Sequence, residues 1–334
     1  MVRMADVADE AGVSVMTVSN VLNDRLPVAE PTRARVMAAV EALGYEVNLT
    51  ARHLRAGRTD IVAFIAPSFH DYFGEVSDEI ALRVEAEGRH LVLERTGASA
   101  EQEMAALSVA RLRLYDGVLL SVAGLDIDRL ERVRTPTPIV LLGERDAPER
   151  FDHVRLANEE GARLATAHMI DGGSRRIVAL GCTFDPGHTM SSDRRLGWER
   201  AMTDAGLGVD PRYVVPISVY SSAAARDALL EVIDSGLPFD GICAITDIIA
   251  LGAISALAER GLRIPDDVQV TGFDNLEMAQ FVPPGLTSVD ANHEELAEKA
   301  VGLLHRRIAG WDGPAEHVVV PVRLVVRGST RRRA

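Results

Sequence analysis

The sequence predicts an α/β protein in which a small N-terminal helical unit precedes two doubly wound, parallel-sheet lobes. Residues 1–46 fit three short helices, and residues 47–58 form a polar, basic connector. From residue 59 onward, short apolar runs alternate with amphipathic helical segments, a pattern typical of parallel sheets covered on both faces. The alternation restarts after Gly206, which indicates a second lobe similar to the first.

These patterns also set the expected domain boundaries. The predicted segments are the head, residues 1–46; the hinge, 47–58; the body, 59–334; lobe 1, about 59–158 and 290–318; and lobe 2, about 159–289 and 319–330. Doubly wound lobes bind ligands outside the carboxyl ends of their strands. Two such lobes therefore predict a ligand site in the cleft between them.

Composition narrows the class of protein. The chain has 334 residues, of which 47% are hydrophobic, enough for two cores and a small third one. Cys182 and Cys243 are the only cysteines, so neither a disulfide framework nor a cysteine metal site is expected. The sequence shows no apolar leader and no uninterrupted run of ~18 apolar residues. We therefore expect a soluble cytoplasmic protein without a membrane partner.

The distribution of charge matters more than its sum. The net charge is −13, but residues 1–59 hold seven arginines and seven acidic residues, so the excess acid lies in the body. Contact with phosphates depends on a local cationic face, and arginines flank the head at positions 33, 35, 52, 55 and 58. The acidic total therefore does not exclude nucleic acid as a partner.

Residues 4–23 have the spacing of a helix-turn-helix. Ala8 is small where two helices cross, Gly12 lies where the turn needs a positive φ, and Ser14 can cap the second helix. The side chains predicted to face DNA are Ser14, Val15, Met16, Thr17, Ser19, Asn20 and Asn23. Such a small, polar, donor-rich face suits the major groove. An ordinary amphipathic helix pair is the alternative, but it requires none of these three features.

These motifs resemble the lac repressor (LacI/GalR) family. The resemblance rests on residues 6–14, 17–23, 32–36, 43–45 and 48–59, and it continues through the body. It implies a ligand-responsive repressor that binds a near-palindromic DNA operator as a homodimer. It also implies a body similar to periplasmic sugar-binding proteins, a sugar or sugar derivative as effector, and target genes of carbohydrate metabolism.

The connector corresponds to the hinge helix of that family. The matching residues are Asn48, Ala51, Arg52, Leu54 and Arg55. The resemblance implies that Leu54 inserts into the minor groove, where an apolar wedge unstacks a base step and bends DNA. Packing of Leu54 in a protein core is the alternative. Val47 stands where the family usually has proline, so the hinge is less preorganised and its folding should depend more on DNA.

The body contains counterparts of the family's effector contacts. They are Tyr72, Arg194, Tyr220, Thr246, Asp247 and Asp274. The planar guanidinium of Arg194 suits vicinal hydroxyls or a carboxylate, and the two tyrosines could stack on the apolar faces of a sugar. Thr246 replaces the family's asparagine and removes an amide donor.

Each of these assignments has a structural alternative. Arg194 could form a surface ion pair, Asp247 could cap the following helix, and each tyrosine ring could serve packing alone. The neighbouring Arg195 is expected to point outward.

Enzymatic function is not expected. The sequence contains no Gly-x-Ser-x-Gly, no P-loop and no His-Glu-x-x-His, so we predict no catalytic residue, metal or cofactor. The rival class is a solute-binding protein or a sugar-processing enzyme. That class would lack the head and carry a signal peptide or a catalytic set, whereas this sequence shows the reverse.

Overall fold

The protein divides into two compact units, residues 1–59 and 60–334. A computed structural model describes residues 2–23, 26–45, 58–144, 146–184 and 189–331, although the side chain of Asn23 lies outside the description. The smaller unit contains three helices among its described residues: α1 (Met4–Ala11), α2 (Val15–Asn23) and α3 (Glu30–Leu43).

The small residues of the head allow its helices to pack closely. The buried hydrophobic residues of the described head are Val7, Ala8, Ala11, Val18, Val21, Val36, Ala39 and Tyr45. Gly12 has a φ of 62° and ends α1 with its backbone N–H directed to the carbonyls of that helix. The predicted positive φ at Gly12 is therefore confirmed.

Lobe 1 is built on a fully parallel six-stranded sheet. Its strands are β1 (Ile61–Ala66), β2 (His90–Arg95), β3 (Gly117–Ser121), β4 (Ile139–Leu142), β5 (Asp152–Leu156) and β11 (His317–Val320). Its helices are α4 (Tyr72–Ala86), α5 (Ala100–Ala106), α6 (Val109–Leu112), α7 (Ile127–Arg132) and α12 (His293–Ile308). The strand order is β2-β1-β3-β4-β5-β11.

Lobe 2 repeats this arrangement with one antiparallel edge. Its strands are β6 (Ile177–Leu180), β7 (Val214–Val215), β8 (Gly241–Ala244), β9 (Gln269–Asp274), β10 (Thr287–Asp290) and β12 (Arg323–Val325). Its helices are α8 (Asn158–Asp171), α9 (Met190–Asp204), α10 (Ser222–Asp234) and α11 (Asp247–Glu259), with short 3-10 helices at Pro211–Tyr213 and Glu277–Gln280. The strand order is β7-β6-β8-β9-β10-β12, in which β12 runs antiparallel to β10.

The two sheets therefore share one winding order, and the predicted fold class is confirmed. The chain passes from one sheet to the other after β5, after β10 and between β11 and β12. This winding order has a topological switch point, where neighbouring connections leave the sheet on opposite sides and a crevice opens at the strands' carboxyl ends.

Two predicted elements differ from the structure. The helix predicted over residues 101–114 is two helices, because Ser108 adopts an extended backbone with a ψ of 142° between them. Serine favours such breaks because its hydroxyl competes for backbone hydrogen bonds. The strand predicted over 214–219 contains only Val214–Val215, since Pro216 has no N–H to continue the ladder.

Candidate DNA-binding head and effector cleft

The second helix of the head presents an exposed N-terminal end. Val15 and Met16, two of the predicted base-reading residues, are 46% and 70% exposed. Ser14 caps this helix as predicted, because its hydroxyl oxygen accepts the backbone N–H of Thr17 at 3.1 Å. Ser19 and Asn20 are half-buried one turn further along. The first turn of α2 therefore combines a backbone N–H satisfied by Ser14 with side chains that are open to solvent.

The predicted hinge contacts lie outside the described residues. They are Asn48, Ala51, Arg52, Leu54 and Arg55, together with Val47 before them.

Arg194 is the most tightly held side chain among the predicted effector contacts. It is only 4% exposed, and its Nε donates to Asn158 Oδ1 at 2.7 Å while its Nη1 donates to the Ile245 carbonyl. Its guanidinium carbon lies 3.4 Å from the centre of the Phe273 ring, in a cation–π contact. Because Arg194 is buried, the alternative of a surface ion pair does not apply.

Asp274 completes a buried ion pair with this arginine. It is the last residue of β9, is 4% exposed, and its Oδ1 lies 3.7 Å from Arg194 Nη1. Burial raises the pKa of Asp274 well above its usual value, although the nearby Arg194 opposes this shift. Its φ of 109° is strained for a residue with a side chain. Two residues that the family resemblance assigned separately to the effector site are thus in contact.

The structure gives the cap of α11 to Thr246 and not to Asp247. Thr246 is the N-cap of α11, with its Oγ1 accepting the Ile249 N–H at 3.2 Å. Asp247 is fully buried and accepts the Leu276 N–H at 2.8 Å and the Ser288 hydroxyl at 2.5 Å. Helix capping was therefore the wrong alternative for Asp247. The two bonds instead tie the start of α11 to the segment after β9 and to β10.

Burial also dominates the ionisation of Asp247. It raises the pKa of that carboxyl to about 7, while the hydrogen bonds from Ser288 and Leu276 act in the opposite direction. Lobe 2 therefore holds two buried carboxyl groups, those of Asp247 and Asp274, beside one buried arginine.

Lobe 1 supplies aromatic rings to the same region. Tyr72 begins α4, and its ring packs edge-on against Phe73 and His293, with centroids 5.1 Å apart in each case. Burial raises the pKa of Tyr72, and the charges of Glu144 and Asp274 add to that shift. Tyr72 also packs against an apolar cluster to which Phe273 of lobe 2 belongs. Packing and ligand covering are both compatible with this position.

Tyr220 lies between β7 and α10 and is 47% exposed. Its place in the effector site stays a prediction.

Two expectations about neighbouring residues need revision. The side chain of Arg195 is only 14% exposed. Its Nε donates to the Thr183 carbonyl at 2.9 Å, and its guanidinium also pairs with Glu199, so the expected outward orientation was wrong. Asn158 was missed altogether, although it fixes Arg194 and leaves its own Nδ2 buried without a hydrogen-bond partner. Its position directly after β5, at the carboxyl end of a strand, was an available signal.

No cluster of three potential metal ligands occurs in the described part of the chain. None of its helices has the length and apolarity that crossing a bilayer requires.

A small helical head and a two-lobed body with a charged interior at its strand ends define a ligand-sensing DNA-binding regulator. Residues 3–48 match the model of the bacterial regulatory proteins of the lacI family, and residues 166–330 match a periplasmic binding protein-like domain. A curated relative, the HTH-type transcriptional repressor PurR of Aliivibrio fischeri (strain MJ11), is 31% identical over 338 residues, covering 100% of this chain and 99% of its own.

Solved structures agree over the whole chain. The lac repressor dimer bound to operator and the anti-inducer ONPF has a TM-score of 0.83 at 25% identity, covering 99% of each chain. The complex of the transcriptional regulator CelR with cellobiose has a TM-score of 0.72 at 27% identity, covering 98% of this chain and 100% of that one. The protein described here belongs to the lacI family of bacterial regulatory proteins. It is a ligand-responsive DNA-binding transcriptional repressor and not an enzyme.

Proposed function

We propose that this repressor binds a near-palindromic operator as a homodimer and releases or tightens it in response to a sugar or sugar derivative. The target genes would be those of carbohydrate metabolism, and the protein would act in the cytoplasm. Each subunit would read one half-site through Ser14, Val15, Met16, Thr17, Ser19, Asn20 and Asn23.

The buried Arg194–Asp274 pair is the observation that carries the effector assignment. A ligand hydroxyl can accept from Arg194 and donate to Asp274, so that a sugar would satisfy both charges at once. Tyr72 from lobe 1 would cover the ring, with Tyr220 and Thr246 at the edge of lobe 2. Asp247 would support the site by fixing the segment after β9 and would not touch the ligand. The CelR structure, which binds cellobiose, supports the choice of a sugar.

The DNA half of the proposal is tested by selecting operator sequences from a random library with the full-length protein. We expect a palindrome of about 14–20 base pairs that spans two adjacent major-groove half-sites. Asn20→Ala should lose about 1–3 kcal/mol of discrimination at one base position. Met37→Ala, which alters an exposed residue of α3, is the control and should bind as the wild type does. Unchanged sequence preference in Asn20→Ala would remove Asn20 from the reading face.

The hinge is tested separately. Leu54→Ala should weaken operator binding and reduce the DNA bend, because the proposed wedge at the centre of the operator is lost. Gel phasing measures the bend angle directly. An unchanged angle would exclude the wedge role.

The effector half is tested by a thermal-shift screen of sugars, sugar phosphates and nucleobases. For a compound that stabilises the wild type, Asp274→Asn should abolish the shift, whereas Asp204→Asn, an exposed acid on α9, should retain it. Stabilisation by a nucleobase alone would overturn the choice of a sugar. Retention of the shift by Asp274→Asn would remove that residue from the site.

A further inference from the structure

The segment that follows β9 is held in an unusual conformation. Asp274 and Asn275 have φ angles of 109° and 57°, both in the region that favours glycine. Such backbone persists only where the surrounding contacts over-determine it. The contacts responsible lie on the next three backbone N–H groups.

Each of these three consecutive N–H groups donates to a side chain. The N–H of Asn275 donates to Ser288 Oγ at 3.0 Å, and that of Leu276 donates to Asp247 Oδ2 at 2.8 Å. The N–H of Glu277 donates to Glu75 Oε1 at 3.0 Å. The first two acceptors belong to lobe 2, but the third belongs to lobe 1.

The bond between Glu75 and Glu277 therefore spans the two lobes. Glu75 lies in the first turn of α4, which packs against β1, β2 and α12 of lobe 1. Glu277 begins a 3-10 helix whose Ala279 is buried in the core of lobe 2. The residue at the start of this segment, Asp274, is the proposed effector contact.

Glu75 is held on its other side by His293. The Nδ1 of His293 lies 3.2 Å from Glu75 Oε2, and the side chain of His293 is only 12% exposed. Burial alone would raise the pKa of Glu75, but hydrogen bonds from His293 and the Glu277 N–H together lower it. The lowered pKa keeps this carboxylate ionised at neutral pH, and an ionised carboxylate only accepts hydrogen bonds, so the Nδ1 of His293 is the donor.

The same histidine ring packs against Tyr72. The Glu75 carboxylate thus contacts two groups. Through His293 it is connected to Tyr72, the ring proposed to cover the effector in lobe 1, and through the Glu277 N–H it is connected to the backbone that follows Asp274 in lobe 2. Among the described residues, no other charged side chain of α4 bonds to lobe 2. Glu79, one turn further on, pairs with Arg83 at 2.6 Å within its own helix.

We propose that Glu75 is an inter-lobe positioning residue, whose carboxylate locks the backbone of residues 274–277 to lobe 1 and so couples the orientation of Asp274 to closure of the lobes. The effector role of Asp274 rests on the proposed function, but the lock itself does not. Opening the cleft would break the Glu75–Glu277 bond and free the strained segment, so that a ligand engaging Asp274 and the state of the lobes would influence each other.

Hydrogen–deuterium exchange on the full-length, ligand-free protein tests the lock. Glu75→Ala should accelerate exchange of the Glu277 amide by about tenfold or more, because that N–H loses its only acceptor from lobe 1. Glu75→Gln, which keeps an acceptor oxygen, should restore most of the protection. Glu79→Ala is the matched control and should exchange as the wild type does.

Small-angle X-ray scattering provides a second readout, the radius of gyration. A purely local role of Glu75 would leave this quantity unchanged. Glu75→Ala should increase the radius of gyration, whereas Glu75→Gln and Glu79→Ala should not. Wild-type exchange at Glu277 in Glu75→Ala, or an equal effect of Glu79→Ala, would overturn the lock. Since no effector is added, a failed effector screen would count against the proposed function alone.

Discussion

The two lobes share a winding order but contribute different chemistry to the cleft. Lobe 2 buries an arginine of α9 and two acids, one at the start of α11 and one at the end of β9. Lobe 1 instead presents aromatic rings and the half-buried acid Glu75 from the start of a helix. Charges that are fixed in place before a ligand arrives require no reorganisation on binding. In the proposed site, lobe 2 would therefore provide the preorganised polar half, and lobe 1 an aromatic cover.

The lobes also differ in how their helices pack. In lobe 2, a Cβ on Gly197 would lie 2.0 Å from the Glu159 carbonyl oxygen, and one on Gly252 would lie 2.3 Å from that of Ser222. In lobe 1, Gly302 of α12 is exposed and would meet nothing within 4 Å. Lobe 2 therefore depends on backbone-to-backbone helix contacts that lobe 1 does not use in this helix.

The largest expected effect comes from removing the buried cation. Arg194→Ala should lower the free energy of unfolding by about 3–5 kcal/mol, because Asp274 is left buried without its partner. Chemical denaturation measures the loss, and the double variant Arg194→Ala/Asp274→Asn should recover part of it. Wild-type stability in the single variant would mean that lobe 2 does not depend on this pair.

A pH-dependent effect should distinguish the buried acids from surface ones. The pKa of Asp247 is raised to about 7, so its stabilising contribution is full below pH ~4 and is lost as the pH rises through about 7. Asp247→Asn should remove this decline. With about 1.4 kcal/mol per pKa unit, the difference between variant and wild type should change by about 2–4 kcal/mol between pH 4 and 7.5.

The matched control for this measurement is Asp267→Asn. The ion pair with Arg263 lowers the pKa of Asp267 to about 2, so its contribution is lost only as the pH falls below 4. Parallel pH profiles for Asp247→Asn and the wild type would contradict the raised pKa of Asp247.

Helix packing gives the next effect. Gly197→Ala should cost about 1–3 kcal/mol, because the new methyl group forces α8 and α9 apart. Gly302→Ala should instead stabilise the protein by about 0.5–1 kcal/mol, since alanine favours the helix and the site is open. Equal thermal stability of the two variants would show that the close helix contact at Gly197 restricts side-chain size no more than the open site at Gly302 does.

The smallest effect concerns the cap of α11. Thr246→Ala should cost about 1 kcal/mol, because the Ile249 N–H loses its acceptor, and Thr246→Ser should restore it. Thermal unfolding compares the two. A loss of stability in both variants would assign the effect to the threonine methyl group rather than the cap.

Patterns close together in the sequence predicted the head and the alternation of strands and helices. The family resemblance assigned Arg194 and Asp274 to one cleft but did not predict their ion pair. Gly12 and Ser14 act on neighbours within a few residues, so spacing alone predicted their roles. The partition between Thr246 and Asp247 could not be predicted in this way. Both can cap a helix, and only the approach of Leu276 and Ser288 draws Asp247 into the interior.

Tertiary structure alone decided which residues support the site from a distance. Asn158 and Glu75 are separated from Arg194 and Glu277 by 36 and 202 positions in the chain. Local periodicity carries no signal for such contacts, because they depend on how two sheets are placed once they have formed. The sequence by itself determined two similarly wound lobes and a reading head. The packing of one lobe against the other determined that a glutamate of lobe 1 holds the backbone of lobe 2.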